Sequence, residues 1–286
     1  MKVGLSVNGI GKKSIDTESL MKMKASGIDA VEISLGRDLS LALDYSELKK
    51  SADEAGIETW SFHLPFMPFK EIDVSSTDES VRLYSISMLS DMIKKGSAIG
   101  IKRFVIHPSG EPIDDSVREA RMAAAKKSLA ELSALASSLG TTLCVENLPR
   151  TCLGRDSSEI LELISADSSL RVCFDTNHLL EEEISDFIGA VGDKIATIHV
   201  SDYDKLNERH WLSGEGVIDW QRLYSDLLSV GYSGAWLYEI NLEAPPSIVR
   251  PRDLEFSDLK INAEEIFSGK VPTPIGVPAE NLTPWR

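Results

Sequence analysis

The sequence predicts a single α/β domain built as a (β/α)8 TIM barrel. Short apolar runs alternate with longer amphipathic segments, and about eight such pairs are present, the number this barrel requires. The short runs are continuous and rich in Val and Ile, as suits a parallel sheet covered by helices. All five histidines (His63, His107, His178, His199 and His210) fall at or just beyond the C-terminal end of a predicted strand. Scattered histidines would fall mostly on helix surfaces and connecting loops.

In chain order the strands are KVGLSV, AVEISL, TWSFHL, RFVIHP, TLCVEN, RVCFDT, ATIHVS and AWLYEI. After the first of these, SVNGIGKKS is a poor match to the glycine-rich fingerprint of a doubly wound open sheet, which favours the barrel. Between the fourth and fifth strands, SVREARMAAAKKSLAELSALASSLG reads as a helix stopped by Gly140. In GVIDWQRLYSDLLSVG, Asp219 caps the seventh helix and Gly231 ends it. Alternation without a change in composition argues for one domain. Residues 1–243 are expected to form the barrel core, and residues 244–286 a C-terminal helix and proline-rich tail completing it. A tail that wraps the barrel, one that reaches a neighbouring subunit and a loosely ordered end all fit APPSIVRPR and KVPTPIGVP.

The 286 residues, 42% hydrophobic and 26% charged, are ordinary for a soluble globular protein. No apolar run approaches the roughly 20 residues that span a bilayer. MKVGLSVNGI lacks the apolar segment and cleavage site of a signal peptide. Cys144, Cys152 and Cys173 show no paired or zinc-finger spacing; Cys144 and Cys173, inside apolar strands, read as small core residues. The expected compartment is the cytoplasm, and no membrane partner is expected. A net charge of −15 argues against a nucleic-acid partner, whose phosphates call for a basic face. Large α/β barrels often assemble as symmetric dimers or tetramers, and either fits this chain.

Active sites of such barrels lie at the C-terminal strand ends. Strands three to eight end in SFHLPF, VIHPSG, CVENLPR, CFDTNHLL, IHVSDYD and LYEIN, so six successive strands deliver Glu, Asp or His to one rim. Glu146, Asp175, His199 and Glu239 each follow an apolar strand directly, where a lone buried charge is costly unless paired or metal-bound. Any one alone reads as a capped or salt-bridged strand end. Four from consecutive strands read as a convergent metal site.

From Lys2 to Asn241, and most specifically in FDTNH, IHVSD and ERHWLSGEGVIDW, the chain resembles the xylose isomerase-like barrels. That superfamily includes tagatose 3-epimerase-like sugar isomerases and epimerases, inosose dehydratase and the abasic-site endonucleases. The resemblance implies one divalent metal held by Glu146, Asp175, His199 and Glu239. Three carboxylates and an imidazole form a hard ligand set, favouring Mn²⁺, with Mg²⁺, Co²⁺ or Zn²⁺ as alternatives.

The expected activity is isomerisation or epimerisation of a ketose or related polyol-derived carbonyl compound through a metal-stabilised enediolate. Glu146 and Glu239 would act as base and acid. Expulsion of a neighbouring hydroxyl from the same enolate would give a dehydratase. A barrel that binds sugar without turning it over is disfavoured by intact candidates for both acid–base glutamates.

His178 resembles the family's substrate-binding histidine; taken alone it also reads as a helix-entry histidine. His63 and His107 contact substrate or bind extra metals, unless they are buried histidines bonded to backbone carbonyls. Glu208 and His210 belong to a loop expected near the metal, or to a solvated one. Phe66, Trp211 and Trp60 are candidates for an apolar wall against a sugar ring, or plain core. Gly214 and Gly216 permit a tight turn, since Glu215 between them would repel phosphate. Arg150, Lys205 and Arg209 leave a phosphorylated substrate open, although no strong phosphate signature is present.

The second class is a phosphodiester hydrolase, because the abasic-site endonucleases hold three zinc ions on five histidines, two glutamates and two aspartates. His63, His107, Glu146, Asp175, His178, His199, His210 and Glu239 match that set, whereas Glu208 stands where the pattern has Asp. The acidic balance and the lack of basic, aromatic DNA-penetrating loops are further departures. HLPFMPFKEIDVSS after strand three is better suited to lining a small pocket.

Overall fold

A computed structural model describes residues 1–7 and 15–284. Its strands are β1 (Val3–Ser6), β2 (Ala30–Ser34), β3 (Glu58–His63), β4 (Arg103–Ile106), β5 (Thr142–Glu146), β6 (Arg171–Asp175), β7 (Ile195–His199) and β8 (Trp236–Tyr238). They pair in parallel in the order β7-β6-β5-β4-β3-β2-β1-β8. The seam between β7 and β8 is closed through Val200, whose N–H donates to Leu237 O at 2.8 Å and whose carbonyl accepts from Glu239 N at 3.1 Å. The predicted TIM barrel is therefore the observed architecture. Most of the SVNGIGKKS loop, from residue 8 to 14, lies outside the described residues.

Helices cover the sheet: α1 (Thr17–Ala25), α2 (Arg37–Ala42), α3 (Tyr45–Ala55), α4 (Glu79–Ala98), α5 (Asp115–Ser138), α6 (Ser157–Ile164), α7 (Ile184–Val191) and α8 (Trp220–Ser229). Aspartate starts α1, α3, α4, α5, α6 and α8: Asp16, Asp44, Asp78, Asp114, Asp156 and Asp219 each accept a first-turn N–H. Such caps are worth about 1 kcal/mol each. The helix read before strand five is α5, with Gly140 in the left-handed region just past its end (φ +68°). Asp219 and Gly231 bound α8, the eighth helix because two helices follow β2.

The main core lies between sheet and helices, with Phe62, Phe104, Phe174 and Phe187 fully buried. A separate, smaller cluster packs Val105, Cys144 and Cys173 of adjacent strands against one another. All three cysteines are free and buried.

The tail packs on the barrel. Its strands β9 (Ile248–Val249) and β10 (Val277–Pro278) pair antiparallel, and between them α9 (Phe256–Phe267) packs on β1 and α8. No described helix is long and apolar enough to cross a membrane.

Candidate metal centre

At the C-terminal rim the strand ends converge on Glu146, the last residue of β5, which is wholly buried. Its Oε1 lies 3.0 Å from His199 Nδ1, at the end of β7. Its Oε2 lies 3.0 Å from His63 Nε2 and 3.2 Å from His107 Nε2, at and beyond the ends of β3 and β4. Glu239, just past β8, places Oε2 3.2 Å from His199 Nδ1, and Asp175, ending β6, places Oδ2 3.7 Å from the same nitrogen.

Ligand atoms of Glu146, Asp175, His199 and Glu239 thus lie within 4.8 Å of one another. Asp175 Oδ2 is buried without a hydrogen-bond partner, although its Oδ1 accepts from Asn177 N at 2.7 Å. A desolvated carboxylate oxygen aimed into a cluster of acids is costly unless a cation completes it, so the four residues fit a hard divalent metal.

Two further clusters adjoin this one: His63, His107 and Glu146, which is shared, and His178, Glu208 and His210. In three of these histidines a backbone carbonyl holds Nδ1. Leu64 O does so for His63 at 3.1 Å, Asn147 O for His178 at 2.9 Å and Glu239 O for His210 at 3.0 Å. The backbone carbonyl fixes the tautomer of His63, and its Nε2 is presented to Glu146. His178 Nε2 faces Glu208 Oε2 at 3.2 Å. His210 adopts a left-handed backbone (φ 54°), an uncommon state of the kind found at functional sites.

Burial opposes charge on His199. The neighbouring Cys173 thiol, itself pushed well up by burial, stays neutral, so Glu32, Glu239 and Glu146 hold the His199 pKa well above the usual imidazole value. Burial also opposes ionisation of Glu146, but the imidazoles on it, His199 foremost, drive its pKa well down. Burial lowers the pKa of His107 and keeps it neutral. His63 and His178, where acidic neighbours outweigh burial, are raised to about 9 and about 10.

Glu146, Glu239, His63, His107, His178, Glu208 and His210 line a cavity of about 320 Å³, with Asp175 and His199 buried behind them. Phe66 forms part of its wall, stacked on the His107 ring at 3.8 Å between centroids and 15° between planes. Trp211 does not: it is fully buried behind the site and its indole N–H donates to Ser247 Oγ at 3.0 Å, a packed role for an aromatic near a strand end. Trp60 lies away from the rim, its indole N–H donating to Thr197 Oγ1 at 3.0 Å. The three cations that left a phosphate open are each paired with acid. Arg150 meets Glu111 at 2.6 Å and Glu208 at 2.8 Å, Arg209 meets Asp204 at 2.8 Å, and Lys205 pairs with Glu183.

Four site residues escape the sequence reading. Glu32, in the middle of β2, faces His199 Nε2 at 3.1 Å and accepts from Ser61 Oγ at 2.7 Å. Its signal was a carboxylate inside the otherwise apolar AVEISL. Asn147 clips β5 to β6: its Nδ2 donates to Asp175 O and its Oδ1 accepts from Asp175 N. Asn177 Oδ1 accepts from Arg209 N at 2.7 Å and so holds the loop bearing Glu208 and His210. Asp202 accepts from Tyr203 N, Gly214 N, Ile218 N and Trp220 Nε1, knotting the same loop from below. Gly214 (φ +97°) turns against Pro272 O, 2.6 Å from where a Cβ would stand, in keeping with a turn and not a phosphate cradle.

Residues 20–257 match the family model described as a xylose isomerase-like TIM barrel. An uncharacterised protein of Methanocaldococcus jannaschii is 24% identical over 232 residues, covering 80% of this chain and 89% of that protein. Fructoselysine 3-epimerase of Escherichia coli is 24% identical over 255 residues, covering 84% and 90%. Among solved structures, a D-tagatose 3-epimerase-like protein superposes with a TM-score of 0.78 at 22% identity, covering 94% of this chain and 97% of that one.

Proposed function

The chain belongs to the xylose isomerase-like TIM-barrel family, and from that premise we propose that it is a divalent-metal-dependent isomerase or epimerase of a small, unphosphorylated ketose or related polyol carbonyl compound. One observation carries the reading: Glu146 and Glu239 meet the same nitrogen of His199, Nδ1, at 3.0 and 3.2 Å, and both line a cavity of sugar size. Glu146, Asp175, His199 and Glu239 would hold the cation, with Mn²⁺ favoured by the hard donor set. The cation supplies charge stabilisation for the negative oxygen that develops when a proton leaves the carbon beside a carbonyl.

Glu146 and Glu239 approach that carbon from two strands, one withdrawing the proton and the other returning one to the opposite face. His178, fixed by Asn147 O, holds Glu208 through Nε2, and this pair lines the cavity where a substrate hydroxyl would bind. Phe66 covers the apolar face of the substrate, and pairing of Arg150 with two carboxylates leaves the rim suited to neutral hydroxyls.

A second reading rests on the two adjoining clusters. Histidines whose Nδ1 is fixed by a carbonyl and whose Nε2 faces a carboxylate resemble metal ligands in their hydrogen bonding. Metals at all three clusters, two of which share Glu146, would suit phosphodiester hydrolysis. Elemental analysis of protein purified without added metal, followed by a ketose screen, tests both. About one equivalent of manganese, magnesium or cobalt with interconversion of ketoses supports the first reading. Two or three equivalents of zinc, with chelator-sensitive nicking of an abasic-site duplex and no ketose turnover, replaces it with the second.

A further inference from the structure

The opposite mouth of the barrel holds a second cavity, of about 410 Å³, at the N-terminal ends of β4 to β7. Lys102, Arg103 and Arg171 line it, and no aspartate or glutamate does. This is unexpected in a chain with 45 acidic and 30 basic residues. Elsewhere among the described residues the arginines are neutralised: Arg82, Arg118, Arg121, Arg150, Arg209 and Arg250 each meet a carboxylate. Among the described residues, none of the three cations at this mouth has an acidic partner.

Two of the three are fixed in place. The Arg103 guanidinium lies 3.5 Å over the Trp60 ring centroid, and Trp60 is itself anchored to Thr197. Stacking of this kind holds the guanidinium plane while leaving its edge free to donate. Arg171 spends Nη1 on the carbonyls of Ser168 and Leu170, at 2.9 and 2.7 Å, which leaves Nε and Nη2 without a partner among the described residues. Gly140 and Gly231, on the rim, have open space where a Cβ would stand. Like charges confined in one recess repel one another, and an anion bridging them relieves that cost.

We propose that this N-terminal mouth is a binding site for a small phosphate-class anion, separate from the metal cavity. Two guanidinium edges held by the fold suit the tetrahedral oxygens of a phosphate or phosphate monoester, with Lys102 adding charge at the rim. The size of the recess selects a small molecule over a nucleic-acid duplex.

The test is calorimetric titration of the metal-loaded, full-length protein with inorganic phosphate and, separately, glycerol 3-phosphate at low ionic strength. Arg103→Gln and Arg171→Gln are each expected to weaken binding by about tenfold or more, and the pair to abolish it, with metal content unchanged. Arg103→Lys, which keeps the charge, should retain part of the affinity and guards against misfolding of the glutamine variants. The tighter of the two probes identifies the source, free phosphate or monoester. Binding that survives in the double variant lies at the metal centre and overturns the proposal. Absence of saturable binding to the wild-type protein overturns it as well.

Discussion

Glu32 does not belong to the rim of strand-end residues, yet it governs what His199 can do. With Nε2–H donated to Glu32, the imidazole turns Nδ1 toward Glu146, Asp175 and Glu239, the carboxylate–histidine arrangement that orients a metal ligand and raises its basicity. Glu32→Gln is therefore expected to weaken metal affinity about 10–100-fold, read by competition with a chromogenic chelator, with the fold retained. An unchanged affinity would mean that His199 is positioned by packing alone. The same acids make His199 a cation in the metal-free protein, because its pKa stands well above the ordinary imidazole value. A cation at Nδ1 must displace that proton, so metal affinity rises with pH through the neutral range and binding releases protons. Calorimetry in two buffers of different ionisation enthalpy reads the release directly; a buffer-independent heat would contradict it. The strand-end residues were legible because each stands as a charge or imidazole after an apolar run. Glu32, Asn147 and Asn177 were not, since their importance comes from partners 167, 28 and 32 positions away in sequence.

At the scale of elements, the loop between β7 and α8 is the part of the site with least regular structure and most side-chain hydrogen bonding. Asp202 gathers three backbone N–H groups and the Trp220 indole, and a Cβ at Gly216 would collide with the Tyr203 carbonyl and the Asp202 carboxylate. Asp202→Ala strands four donors at once, two in buried and two in part-buried hydrogen bonds. It should cost about 3 kcal/mol or more in denaturant unfolding and disorder His210, lowering occupancy of the cluster with His178 and Glu208. A loss under about 0.5 kcal/mol would show that water replaces the carboxylate. Strands and helices were readable here because local signals agree: apolar runs for β1 to β8, aspartate caps and glycine stops for the helices. The split of the second connection into α2 and α3 was not read. Trp211 and Trp60 show the same limit, since an aromatic at a strand end carries no sequence mark of the side on which its pocket lies.

Over the whole molecule, the tail is tied to the barrel by one buried ion pair. Arg250, after β9, meets Glu215 at 2.7 Å with both side chains fully buried. Glu215 also accepts from Leu212 N and from Gly276 N of the tail, while Arg250 donates to Asn241 O just past β8. This arrangement supports the proposal that residues 244–286 complete the barrel and hold the rim from outside. Arg250→Met leaves Glu215 as an unpaired buried charge and is expected to cost about 3–5 kcal/mol, read as a lowered denaturant midpoint. A midpoint equal to wild type would mean that this ion pair does not hold the tail in place.

The account rests on proton exchange between two glutamates at a metal-holding rim, and one experiment addresses that directly. The metal-loaded protein is incubated in deuterated water with a ketose found to be interconverted in the screen, and deuterium at the inverted carbon is followed by NMR. Wild type should incorporate solvent deuterium there as it turns over, and Glu239→Gln should slow turnover by about 10²–10⁴-fold while still binding the substrate. Epimerisation without deuterium, or full activity in Glu239→Gln, would contradict it.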